Sequence, residues 1–136
     1  MTQISISITG LTELQNWAER GPARLRAEIE TAVAEAVFFG HEYIALYPPV
    51  IPSSTYEQTG LLGKSWVSSI HRTSDSVQGL LGNDIYYGPY VQDALHQASV
   101  HRGRWRTVQG LTEGSPLEKI VSFFVDAVAR VVKAIE

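Results

Sequence analysis

Residues 115–136 read SPLEKIVSFFVDAVARVVKAIE, and this stretch constrains the fold more than any other. Ser115, Pro116 and Glu118 combine an N-cap, a first-turn proline and a capping-box carboxylate, which predicts the start of a helix. Leu117, Ile120, Val121, Phe124, Val128, Val131, Val132 and Ile135 then share one apolar face, with Phe123 and Val125 off it. A helix lying on a domain surface needs one apolar stripe. This one is apolar around more of its circumference, so a second buried face is expected. Phe123 and Val125 thereby become candidates for contact with a neighbouring subunit.

A second long helix is expected near the middle of the N-terminal half. It begins with Pro22 in its first turn and runs to Tyr47 with Leu25, Ile29, Val33, Val37 and Ile44 at helical spacing, until Pro48 and Pro49 stop it. Before it, Ile4, Ile6 and Ile8 alternate with Ser5, Ser7 and Thr9 as a half-buried strand would. A short helix carrying Leu14 and Trp17 and ending at Gly21 is expected next. After the proline-rich loop, GLLGKS suggests a helical turn. Trp66 to His71 and Val77 to Leu81 alternate as the two strands of a hairpin around TSDS, closed by Gly82, Asn83 and Asp84. The segment from Asp84 to Gln97 reads as a short strand and then a helical turn through Val91 and Leu95. Trp105, Thr107 and Val108 offer one more short strand. The expected architecture is one α+β domain over residues 1–136: a small antiparallel sheet packed against two long helices, one central to N-terminal and one C-terminal.

Motifs for chemistry are scarce. The chain has no cysteine, which removes thiolate metal sites and cysteine nucleophiles. His96 and His101 are five apart, without the spacing of a zinc helix, and Asp93 is the only other ligand type close by. No GxSxG elbow occurs. Gly60, Gly63 and Lys64 echo a phosphate loop at too short a spacing and lead into a strand. Glu28, Glu30 and Glu35 read as the solvated face of a helix. No catalytic residue, metal or cofactor is expected, and a non-enzymatic role follows. A net charge of −3 gives no general drive toward nucleic acid. No apolar run is long enough to span a bilayer, and no signal peptide is recognisable, so the chain is expected to remain where it is made.

Two clusters remain as candidate subunit contacts. Arg102, Arg104, Trp105 and Arg106 interleave basic groups with an aromatic ring, a combination that could hold a phosphate backbone or anchor a loop while the arginines meet carboxylates. Tyr86, Tyr87 and Tyr90 suit either a half-buried strand or an interface.

Taken in order, several phrases resemble the minor tail and head–tail neck (tail-completion) components of long-tailed bacteriophages. They are Gly10, Leu11 and Leu14 after the opening strand; the alanine-rich helix ending at Pro48; Thr59 and Gly60 with Leu61 or Leu62 and then Ser65-Trp66; Gly82 to Val91 around Tyr87-Gly88-Pro89-Tyr90-Val91; and a histidine-containing segment before the closing helix. The resemblance implies a virion structural protein, made in the host cytoplasm, whose copies form a ring around the DNA channel with each other and with neighbouring head–tail or tail proteins. DNA would pass without specific binding, and no membrane is involved. A ring requires two different complementary patches on each subunit. The alternative reading, from the residues alone, is a small nucleic-acid-binding module built on the basic-aromatic loop.

Overall fold

The computed structural model describes residues 4–8, 23–53, 58–74 and 76–134. Its elements are β1 (Ile4–Ile8), α1 (Ala23–Ala45), the single turn α2 (Leu61–Lys64), β2 (Val67–Arg72), β3 (Val77–Asn83), the short helix α3 (Gly88–Gln92), a 3-10 helix (Val108–Thr112) and α4 (Gly114–Ala134). The strands form one antiparallel sheet in the order β1-β3-β2. The two long helices and the small antiparallel sheet are the α+β arrangement expected. The helix anticipated over Leu14 and Trp17 lies outside the described residues, as do Pro22 and Ile135.

The central helix organises the rest because it is buried on two sides. Leu25, Ile29, Val33, Val37 and Ile44, the stripe read from the spacing, are all buried, and Ala32, Ala36 and Gly40 join them. Small side chains let neighbours approach closely. On one side α1 meets β3, where Val33 and Val37 pack with Val77 and with the half-buried Ile70 and Phe124. The contact is tight at Gly79: a Cβ there would stand 2.2 Å from Val37 Cγ2 and 3.1 Å from Val33 Cγ1. On another side α4 runs antiparallel to α1, with Val131 against Leu25 and Ile29 and Phe123 edge-on to Phe39 at 6.2 Å between ring centroids. The helix stops at Ala45, three residues before Pro48, because the residue preceding a proline is pushed out of the helical region.

Strand β3 is central in the sheet and shows the alternation expected of a strand with one covered face. Val77, Gly79, Leu81 and Asn83 are buried, and the residues between them are half-buried. Register pairs Ile8, Ile6 and Ile4 with Gly79, Leu81 and Asn83. Strand β2 is an edge and is largely exposed. The hairpin is held under α1 by Arg26, which donates to the carbonyls of Thr73 at 2.6 Å and Ser74 at 3.0 Å, and by the Arg72–Glu30 pair at 3.4 Å. The carboxylates Glu28 and Glu30 are therefore not simply solvated, since Glu28 accepts from Arg130 at 2.6 Å.

Four expectations are corrected. The return strand continues past Leu81 to Asn83, since Gly82 still pairs with Ser5 and Val67. No strand forms at Ile85–Tyr87: the Asn83 carboxamide folds forward to accept the Ile85 N–H at 2.9 Å, turning the chain, and Pro89 then opens α3. That helix ends at Gln92 because Asp93 accepts the Leu95 N–H at 3.0 Å, which leaves Leu95 exposed rather than in a helical turn. Nor do Trp105–Val108 form a strand. Thr107 caps the 3-10 helix instead, its hydroxyl accepting from the Gly110 N–H at 3.2 Å.

The Gly79 contact yields a prediction. Gly79→Ala will force α1 and β3 apart and lower stability to urea by about 1–3 kcal/mol. Val37→Ala in the same chain will recover part of that loss, and strictly additive effects in the double-mutant cycle would show that the two positions do not touch.

Candidate assembly surfaces

The loop between α3 and α4 is built around three buried side-chain amides, Asn83, Gln92 and Gln97. Gln92 is 1% exposed, and its carboxamide is fully used. Its Nε2 donates to the carbonyls of Ile44 at 2.7 Å and Arg106 at 3.3 Å, while its Oε1 accepts from the Trp66 indole at 3.1 Å. One side chain thus ties the last turn of α1, the entry to β2 and the Trp105 loop. Gln97 donates to the carbonyls of Val91 at 2.7 Å, His101 at 3.3 Å and Trp105 at 3.4 Å, closing the loop on itself. Asn83 donates to the Leu62 carbonyl at 2.9 Å, which holds α2 in place. Sequence reasoning passed over these amides because buried and exposed glutamines look alike in a sequence.

On this frame the basic-aromatic segment is anchored, not extended into solvent. Trp105 is buried with Leu62 and Val91, packed edge-on to Tyr47 at 4.7 Å, with Ile85 and Tyr87 beside them. Each arginine donates to a backbone carbonyl: Arg102 to Gln97 at 3.4 Å, Arg104 to Pro49 at 3.3 Å and Arg106 to Tyr43 at 3.1 Å. Arg106 also lies over the Tyr43 ring at 4.3 Å. The expected carboxylate partners are replaced by backbone carbonyls, for Arg104 and Arg106 those left open at and beyond the end of α1 and for Arg102 one within its own loop. Of the tyrosines, Tyr86 and Tyr90 are exposed, and Tyr87 is half-buried in the Trp105 cluster with its ring edge-on to Tyr86 at 5.3 Å.

Beside Trp105 a pocket of about 340 Å³ is lined by Val50, Ile51, Gln58, Val100, His101 and Arg104. Val50, Ile51 and Val100 are exposed there as large apolar side chains. His101 contributes a buried Nδ1 with no hydrogen-bond partner. Burial, and secondarily the Arg104 charge, push the imidazole below the ordinary histidine value of 6.5. Asp93 is also lowered: its burial would raise it, but hydrogen bonds from His96, the Leu95 N–H and Gln109 outweigh that. His96 and Asp93 pair at 2.9 Å, and no group of three or more His, Asp or Glu able to hold a metal occurs among the described residues.

The second surface is on α4. Its contact with the rest of the fold is carried by Ile120, Phe123, Phe124, Ala127 and Val131, which are buried or half-buried, and by the Arg130–Glu28 bond. Half of the face read from the sequence is therefore not covered. Leu117, Val121, Val128 and Val132 are exposed together with Val125, which is 60% exposed. Phe123, proposed from its spacing as a subunit contact, packs inward on Phe39 with Lys119 over its ring at 5.2 Å. The structure thus separates the candidates: Val125, Tyr86 and Tyr90 are on the surface, Phe123, Tyr87 and Trp105 belong to packed clusters, and the three arginines hold the loop.

Two predictions follow from the amide frame and the buried imidazole. Gln92→Leu will strand the Trp66 N–H and the Ile44 carbonyl and lower stability by about 2–4 kcal/mol, measured by denaturant unfolding. A depressed histidine value in the fold means that the unfolded chain binds the proton first, so the His101 contribution is present above 6.5 and lost as pH falls below it. The melting temperature will accordingly drop between pH 7 and pH 5, and His101→Gln will flatten that drop; an unchanged slope would remove His101 from the account.

No protein-family model matches the chain, and no curated protein or solved structure is similar enough to count as a match.

Proposed function

We propose that the chain is a virion structural subunit of a long-tailed bacteriophage, acting at the head–tail junction or tail end as a neck, tail-completion or minor tail component whose copies form a ring around the DNA channel. The observation that carries this reading is the pair of uncovered apolar surfaces on one small chain. The stripe on α4 and the Val50–Ile51–Val100 surface beside Trp105 lie on different elements and differ in chemistry, one purely aliphatic and one edged by Arg104 and His101. Head-to-tail association uses two unlike patches of this kind. The ordered sequence phrases described above point the same way. The arginines of the basic-aromatic loop are engaged with carbonyls, which favours the anchoring role over a phosphate-binding one. No helix among the described residues is long and apolar enough to cross a membrane.

Purified protein, mixed with heads or tails of the phage that encodes it, is expected to bind one of them and to show rings by negative-stain microscopy. Val100→Asp should abolish that binding without unfolding the chain. Salt-dependent DNA binding lost in Arg104→Ala, together with failure to join either particle, would replace this reading with the nucleic-acid-binding one.

A further inference from the structure

We infer that the pocket beside Trp105 binds the carboxyl end of a polypeptide chain whose last residue is apolar, the chain end of a neighbouring virion protein. The partner rests on the virion reading above; the chemistry of the ligand is read from the pocket itself.

The pocket is built on a stiff support. Pro48 and Pro49 fix the backbone beyond α1, and their carbonyls each accept from a side chain of the lining: Gln58 donates to Pro48 at 3.3 Å, and Arg104 Nη2 donates to Pro49 at 3.3 Å. Trp105 is buried and edge-on to Tyr47 at 4.7 Å. The loop that carries these groups is closed by the His101 carbonyl, which accepts the backbone N–H groups of Arg104 and Trp105 at 3.1 Å each. The cavity therefore exists before any ligand arrives, and little ordering is lost when one binds.

The lining fits two chemical groups at once. Val50, Ile51, Val100 and Trp105 make an apolar wall, and the first three are exposed, so covering them is favourable. Arg104 adds a half-buried guanidinium whose one hydrogen bond among the described residues is that to Pro49. A guanidinium has five N–H donors, so most of the fork is uncommitted. It pairs with no carboxylate among the described residues, and no described residue of the lining is acidic. His101, in the same wall, is neutral at physiological pH because burial and the Arg104 charge lower it. Arg104 is then the single charge of the described lining. A cation that has given up part of its water and lacks a counter-charge is matched by a carboxylate, which the fork holds with two parallel bonds.

Size decides how the two groups are connected. A cavity of roughly 150 Å³ holds a benzene, so one of about 340 Å³ takes the last residue of a chain and the peptide group before it, and neither a helix nor a strand. Within that space the apolar side chain and the carboxylate have to come from one residue. An aspartate or glutamate has the charge without the apolar branch. A residue inside a chain has the branch, with neutral amides on both sides. The last residue of a chain carries both on one carbon.

Fluorescence anisotropy of the full chain with an N-terminally labelled hexapeptide ending in leucine tests this. The free acid is expected to bind at least about tenfold more tightly than the same peptide ending in a carboxamide. Arg104→Gln should bring the two to the same affinity, Arg104→Lys should keep a preference for the acid, and Val100→Asp should weaken both. Arg24→Gln, which removes an exposed charge at the start of α1, should leave the preference unchanged. Equal binding of acid and carboxamide by the wild type, or binding of neither, overturns the inference. Isocaproate that competes as tightly as the peptide binds also overturns it, since the site would then be one for small acids. Rings and particle binding by a chain that binds neither peptide would overturn it and leave the virion reading standing. Preference for the acid in a chain that joins no particle would support the ligand assignment and count against the virion reading.

Discussion

The carboxamide of Gln92 is the point on which this structure depends. It sits where four segments meet, and its two donors and one acceptor all have partners in different segments. Most of the fold's contacts are apolar and tolerant of small shifts. This one is directional, and it is closed only when α1 ends at the right turn, Trp66 enters β2 at the right height and the Trp105 loop returns over α3. A buried amide left open costs more than a hydrogen bond gains, so the network acts as a condition on the whole arrangement. The exposed arginines of the loop then have their direction set for them, because the carbonyls they reach are presented by the segments that Gln92 has already fixed.

Much of the fold was legible from spacing. The stripe of α1, the alternating strands β1 to β3 and the proline stops identify their elements because each depends on local chain geometry and a single buried face. Misreadings fell where a polar side chain overrides local propensity. Asn83 and Asp93 each capture a backbone N–H two residues on and bend the chain, so aromatic and branched residues that look strand-forming or helical follow turns instead. Asx turns of this kind depend on side-chain direction, which a one-dimensional pattern does not carry.

The surfaces were legible only in part. An excess of apolar residues on α4 was visible in the sequence, but which half would stay uncovered was not. The deciding contacts are those of Val131 with Leu25 and Ile29 and of Phe123 with Phe39, which turn the Ile120–Phe123–Ala127–Val131 side of α4 onto α1. Val125, one residue from the expected face, consequently ends in solvent, while the neighbouring Phe123 turns inward. In the basic-aromatic loop, composition pointed to two opposite roles. Only the position of the α1 terminus, with its open carbonyls, separated them.

Strand β2 has a consequence for behaviour at high concentration. Its outer edge is paired with no strand among the described residues, and every residue of the strand but the half-buried Ile70 is exposed, so its backbone is a ready template for another extended chain. What restrains fibrillar growth is its composition: six residues long, with two serines in the middle and His71 and Arg72 at the end. Hydroxyls make a poor dry interface, and cations stacked in register repel. The colloidal behaviour of the chain is therefore set at the edge of a short hairpin rather than on the apolar helix, and replacing those serines with branched aliphatic residues would make the edge self-adhesive.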